Sequence, residues 1–237
     1  MTLSQPAAAA TAAVASTPAW TLAGLVASDG RSRLDLARPA AGLEVAGNDR
    51  VLGLDLRSPS TATRLVDHWA RGCDVVAVYE PADPRRLRAT AMWRSLVAAS
   101  GWELVVSAQT SLGESDSSLA VTCDLAGDQI AWGRGTETGV IWQPLGEAIS
   151  PVEATGLLVR RSADAVLVAV HPADVRRILV ARDAGRVRVT CWLFSAAIEK
   201  GVLLKSRVLA ALGPAADTAW ADALVVGLAT SPPPLTA

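Results

Sequence analysis

The chain has 237 residues, of which 51% are hydrophobic and 19% charged, a composition typical of a globular protein with a substantial core. The formal net charge is −1, so there is no basic excess of the kind that binds nucleic acids or anionic membranes. We therefore expect an unknown small molecule or a protein as partner, with no nucleic acid and no membrane.

The N-terminal residues 1–19 predict a disordered tail, because they are rich in Ala, Ser, Thr and Pro. They lack the positive start and the continuous apolar run of a signal peptide. The three cysteines, Cys73, Cys123 and Cys191, form no C-x-x-C pair. We expect a cytoplasmic protein with buried free thiols.

An internal duplication is the most informative feature of the chain. Ser-Pro-x-x-Ala-Thr-x-Leu at residues 58–65 recurs at residues 150–157, an offset of 92. Two further matches follow in the same order: Val-Ala-Val at 76–78 and 168–170, and Pro-Ala-Asp-x-Arg-Arg at 81–86 and 172–177. A repeated unit predicts two equivalent halves, so we expect residues 58–95 and 150–194 to superpose.

Each copy begins with a predicted hairpin. Residues 62–70 with 75–80, and residues 154–161 with 165–171, have the pattern of paired strands. The turns are expected at residues 71–74 and 162–164, with further turns at 127–128, 133–135 and 183–185.

Period-two alternation predicts most of the remaining strands. It is clear over residues 103–109, 118–125, 186–194 and 202–212. In the last of these, Lys205 and Arg207 face away from the apolar set, which predicts a strand with one solvent-exposed side. We assign residues 20–146 to a first β repeat with N-terminal strands and residues 147–213 to the second repeat.

A C-terminal helix is predicted over residues 214–230, followed by a tail over 231–237. Asp217 can cap it, and Trp220, Leu224 and Leu228 fall on one stripe. The predicted fold class is therefore all-β, an internally duplicated β-sandwich with a C-terminal α-helix. The halves could form one large sandwich or two.

Two ionisable residues are the candidates for catalysis. His171 ends a predicted strand, and its repeat position holds Tyr79, followed by Glu80. The two halves thus present different ionisable groups at one corner. These groups could form a site with Glu80 and His171, or they could simply be polar side chains at the ends of strands. No metal-ligand spacing is present, and we expect no metal and no cofactor.

Five residues are candidates for ligand binding. They are Tyr79, Arg86, Arg177, Trp132 and Trp142. The paired arginines could clamp an anion, but we expect Asp83 and Asp174 beside them to be structural corner residues, because the motif recurs intact. Trp132 and Trp142 flank a Gly-rich segment over residues 133–139, where a ring could face a ligand or the core.

The duplicated β architecture, together with Glu199-Lys200-Gly201-Val202, resembles the large sandwiches of the sugar mutarotases. The resemblance implies, as one alternative, a carbohydrate-active or carbohydrate-binding protein with a cleft between the halves. The residues themselves favour a non-catalytic ligand-binding or protein-interaction scaffold, which could form a homo-oligomer.

Overall fold

The computed structural model describes residues 18–56, 63–81, 87–116, 119–136, 139–146, 154–174, 177–194 and 197–232. These ranges hold strands β1 Thr21–Ala23, β2 Val26–Ser28, β3 Arg33–Asp35, β4 Leu43–Glu44, β5 Arg50–Asp55, β6 Thr63–Arg71, β7 Asp74–Pro81, β8 Leu87–Ser95, β9 Gly101–Thr110, β10 Glu114–Asp116, β11 Leu119–Ala126, β12 Gln129–Thr136, β13 Gly139–Pro144, β14 Gly156–Arg160, β15 Asp164–Val170, β16 Arg177–Asp183, β17 Arg186–Leu193, β18 Ala197–Glu199 and β19 Leu203–Pro214. The helix α1 spans Ala219–Thr230. No helix in the described ranges is long and apolar enough to cross a bilayer.

Two antiparallel sheets build the molecule. One has eight strands in the order β1-β2-β3-β4-β5-β11-β17-β16, and the other has nine in the order β13-β12-β14-β15-β19-β9-β8-β7-β6. A short pair, β10 and β18, lies apart from them. The main core consists of inward-facing side chains from both sheets. The predicted all-β sandwich with a C-terminal helix is confirmed.

The inward faces follow the predicted alternation. In β9, Leu104, Val106 and Ala108 have no exposed surface, and the matching apolar positions of β11 and β17 are equally buried. Cys123 and Cys191 lie on these faces as free thiols, and burial raises the pKa of Cys123 to about 12. Such thiols are inert packing groups at neutral pH.

The outer side of β19 differs from its prediction. Arg207 is 7% exposed, and Leu209 and Ala211 on the same side are also buried. The reason is α1, which packs on the outer surface of β12, β13, β15 and β19. A strand that alternates in sequence can therefore still be covered on both faces when a helix docks on it.

The two repeat copies share a hairpin but not the strand after it. Hairpins β6–β7 and β14–β15 both lie in the nine-stranded sheet, so the copies build one sandwich. β8 then pairs with β7, whereas β16 pairs with β17 in the opposite sheet. Both edges of β15 are already occupied, by β14 and β19, so the chain must cross over. The expected superposition of residues 58–95 on 150–194 is wrong from the third strand onward.

Candidate functional site

The structure does not bring the two catalytic candidates together. Glu80 lies on β7 and His171 follows β15, and β19, β9 and β8 lie between them. Four interstrand spacings separate the groups by about 19 Å along the sheet. Glu80 pairs with Arg88 at 3.2 Å, and Nδ1 of His171 accepts a hydrogen bond from the backbone N of Ala173. They cannot act on the same substrate atoms.

Tyr79 is a core residue and not a ligand-binding group. Its side chain is 2% exposed, and its hydroxyl donates to the carbonyl oxygen of Leu36 at 2.9 Å. Burial raises the pKa of this phenol above its ordinary value. A buried, hydrogen-bonded hydroxyl ties β7 to the opposite sheet and is closed to a ligand.

The two candidate tryptophans also have structural surroundings. Trp132 is half-buried against the main core. Trp142 covers Gly133 and Gly156, where an added Cβ would lie 2.8 Å and 3.2 Å from its ring atoms. Its Nε1 donates to Oδ1 of Asp222 in α1 at 2.6 Å. Trp142 therefore fastens the helix to the sheet.

The Gly-rich segment is not the predicted turn. Gly133 and Gly135 lie inside β12, which pairs with β13 along their length. Two glycines on neighbouring strands, Gly133 and Gly156, face each other and form the slot that Trp142 fills. The glycines meet a packing requirement of the indole and not a turn geometry.

Of the two arginine candidates, only Arg177 lies within the described residues. Arg86 lies outside those residues, as does Asp83. Arg177 is exposed on β16, at the edge of the eight-stranded sheet, with its guanidinium carbon 4.9 Å from the ring centroid of Trp192. This stacking is a surface cation–π contact.

Asp174 holds the corner between β15 and β16. Pairing of β15 with β19 stops at Val170 and Val208, so the next N–H of β19 has no strand partner on that side. Oδ2 of Asp174 accepts this N–H, from Arg207, at 3.0 Å. The aspartate therefore satisfies a backbone group of another strand.

Replacing Asp174 with Ala should lower the free energy of unfolding by about 0.5–2 kcal/mol, because a buried N–H loses its acceptor. Urea denaturation of the variant measures the loss, and Asp128→Ala, at an exposed turn, is the matched control. Equal stabilities of the two variants would show that Asp174 does not hold the corner.

The other buried carboxylates are satisfied by the fold. Asp49 has no exposed side-chain surface and accepts hydrogen bonds from the backbone N of Ala126 and from Arg161, which joins the two sheets. Burial raises its pKa. Within the described ranges, no group of three or more His, Cys, Asp or Glu side chains could hold a metal ion.

Among the described residues, the part of the nine-stranded sheet beyond α1 offers a different candidate. Beyond the strands that α1 covers, the sheet continues through β9, β8 and β7 to its edge at β6. We name the outer surface of these four strands the open face. Its side chains alternate with core residues and are Arg64, Asp67, Trp69, Arg71, Asp74, Val76, Val78, Glu80, Arg88, Thr90, Met92, Arg94, Glu103, Val105, Ser107 and Gln109.

An apolar row crosses the middle of the open face. Trp69, Val76, Met92 and Val105 are cross-strand partners in turn, and Arg207 of β19 continues the row. Trp69 is 44% exposed and is the only aromatic residue among the exposed large hydrophobic side chains of the described residues. From Trp69 to Val105 the row spans three interstrand spacings, about 14 Å.

Polar rows flank the apolar row on both sides. On one side, Nε of Arg94 donates to Asp74 at 2.7 Å, and Arg94 lies 3.7 Å from Glu103. The hydrogen bond that Arg94 donates to Asp74 raises the pKa of Arg94, and burial raises the pKa of Glu103 against the effect of Arg94. On the other side lie Asp67, Thr90 and Ser107, with Val78 between them.

The charges of the open face balance. Four arginines, Arg64, Arg71, Arg88 and Arg94, oppose four carboxylates on the four strands. The face therefore offers an indole and many hydrogen-bonding groups but no strong net field, which suits a neutral polar ligand. Apart from Glu80, the residues of this face are not among the sequence-predicted candidates, although the exposed positions of residues 67, 69 and 71 follow from their alternation in a strand.

Comparison with known proteins shows distant likenesses of fold. No family model and no curated protein matches the chain. A putative aldose 1-epimerase from Escherichia coli K12 is 11% identical with a TM-score of 0.49, covering 75% of this chain and 82% of that one. The GH36 α-galactosidase AgaA from Geobacillus stearothermophilus is 11% identical with a TM-score of 0.44, covering 68% of this chain, which spans only 29% of the galactosidase. Such low identities and TM-scores assign no function.

Proposed function

We propose that the chain is a non-catalytic carbohydrate-binding protein and that the open face holds the glycan. The observation that carries the proposal is the half-exposed indole of Trp69 at the head of the apolar row, between two rows of hydrogen-bonding side chains. The described catalytic candidates are separated or engaged in structural contacts, so binding without chemistry is the function that the geometry supports.

A sugar ring suits this arrangement for chemical reasons. One side of a pyranose consists of C–H groups, which can stack on an aromatic ring, while its hydroxyls both donate and accept hydrogen bonds. Arg94, Asp74 and Glu103 lie to one side of the row, and Thr90 and Ser107 to the other. The indole of Trp69 supplies the stacking surface, because Val76 and Val105 of the row are each only 8% exposed.

The proposal is tested by titrating the protein with a panel of neutral oligosaccharides. Calorimetry measures binding, and chromatography of the recovered sugar shows whether it is unchanged. At least one oligosaccharide should bind and be recovered unchanged. Trp69→Ala should weaken its binding about tenfold or more, the equivalent of ~1.4 kcal/mol. The matched control is Ile141→Ala, at a residue 58% exposed on the opposite edge strand β13, and it should bind like the parent.

Two outcomes would contradict the proposal. Undiminished binding by the Trp69 variant would move the site away from the open face. Conversion of the oligosaccharide by the parent protein would show that the chain is an enzyme.

A further inference from the structure

The strand β6 lies at the edge of the nine-stranded sheet. Among the described residues, β6 pairs with β7 alone. The described chain approaches this edge near its end: β1 contacts β6, and the backbone N of Trp20 donates to the carbonyl oxygen of Gly72. The unpaired N–H and C=O groups of an edge strand are a template for another strand.

The part of β6 suited to pairing is short and regular. A β-bulge lies between Leu65 and Asp67, and regular pairing with β7 follows from Asp67 to Arg71. Asp67, Trp69 and Arg71 are exposed on the open face, while His68 and Ala70 are half-buried on the core side.

Geometry limits how two copies of this segment can pair. In a two-fold antiparallel pair, facing residues either both direct their backbone groups at each other or both direct them away. The backbone direction alternates along a strand, so each residue must face a residue an even number of positions away in the other copy. The two-fold axis therefore lies midway between the two copies of one residue. The axis can then coincide with residue 67, 68, 69, 70 or 71.

Charge selects one of these registers. An axis at Asp67 sets two aspartates opposite each other, and an axis at Arg71 sets two arginines opposite each other. An axis at Trp69 sets Asp67 opposite Arg71 twice and uses all five residues of the regular segment. Charges on an edge strand usually repel another copy, but in this register they attract.

We propose that a second copy of this chain pairs antiparallel with β6, with the two-fold axis at Trp69. The two nine-stranded sheets then form one continuous sheet, and the two Trp69 rings lie side by side at the centre of a doubled open face. This inference rests on β6 alone and holds whether or not the open face binds carbohydrate.

Complementary charge reversal tests the pairing and its register. Asp67→Arg sets arginine opposite arginine, and Arg71→Asp sets aspartate opposite aspartate, so each variant alone should be monomeric in sedimentation velocity. The parent should be a dimer. An equimolar mixture of the two variants should form a heterodimer, because each arginine then faces an aspartate on the other chain.

Cysteine cross-linking gives a second measurement in the otherwise unchanged chain. In the proposed register residue 69 faces itself, with Cα atoms about 4.5–5.5 Å apart, within the range of a disulfide. Trp69→Cys should therefore give a covalent dimer under mild oxidation. Asp67→Cys is the matched control and should not, because its two copies lie four residues apart along the strands.

Each outcome bears on one part of the proposal: the dimer or its register. A parent chain that stays monomeric at high concentration, or charge variants that dimerise like the parent, would overturn the proposal. A mixture that stays monomeric, or an Asp67→Cys variant that cross-links as well as Trp69→Cys, would overturn the register. Glycan binding by a monomeric parent would leave the proposed function standing while this inference fails.

Discussion

Replacing Asp29 with Ala is expected to lower the free energy of unfolding by about 3–5 kcal/mol, the cost of removing one partner from a buried charged network. The Asp29 carboxylate has no exposed surface. It accepts hydrogen bonds from Ser95 Oγ at 2.6 Å, from Trp102 Nε1 at 2.9 Å and from Ser32 Oγ at 2.9 Å, besides the backbone N of Arg31 and of Ser32. Without the carboxylate these donors stay buried and unpaired. Equilibrium unfolding in urea measures the loss.

The control for this prediction is Asp35→Ala. Asp35 pairs with Arg38, whose side chain is 78% exposed, so its removal should cost less than about 1 kcal/mol. A similar loss for both variants would show that the Asp29 network does not stabilise the fold.

The effect of Asp29→Ala should also depend on pH. Burial acts to raise the pKa of Asp29, but the hydrogen bonds from Ser95, Trp102, Arg31 and Ser32 outweigh it, so the pKa lies below the ordinary 3.8. A carboxyl group whose folded pKa is lowered stabilises the fold above its unfolded pKa and loses that contribution as the pH falls through the folded value. The difference between parent and variant should therefore be full at neutral pH and shrink below about pH 3.8.

Local alternation made much of this fold predictable, because a half-buried strand shows its faces in its own sequence. The hairpin turns at residues 72–73 and 184–185 and the inward faces of β9, β11 and β17 all follow from such local patterns. The sheet that receives each strand does not. Whether β8 or β16 can pair with the preceding strand depends on which edges distant strands already occupy, as β19 occupies β15.

The candidate site was harder to predict for a related reason. Tyr79, Trp132 and Trp142 carry the chemical groups of a binding site, but their partners come from elements far away in sequence. Asp222, for example, lies 80 residues from Trp142. Local alternation over residues 67–71 predicts that Trp69 is exposed, but its place at the edge of the nine-stranded sheet depends on how distant strands are ordered.

Replacing Trp142 with Ala should lower the free energy of unfolding by about 3 kcal/mol, within the range for large aromatic side chains that pack in a protein interior. The indole fills the slot above Gly133 and Gly156 and donates to Asp222 at 2.6 Å. Its loss leaves a cavity under α1 and an aspartate without its donor. Hydrogen exchange should show weaker protection of α1, whose buried Ala221, Val225 and Leu228 depend on the same docking.

Trp69→Ala is the decisive comparison for this variant, because the two residues differ in place and not in chemistry. The Trp69 ring is 44% exposed, and its removal should cost less than about 1 kcal/mol and leave the exchange of α1 unchanged. Trp142→Ala at a temperature where it stays folded should keep the open face intact, because the helix lies on other strands. If Trp69→Ala destabilised the chain as much as Trp142→Ala, Trp69 would be a packing residue, and the open face would lose the aromatic ring on which ligand binding depends.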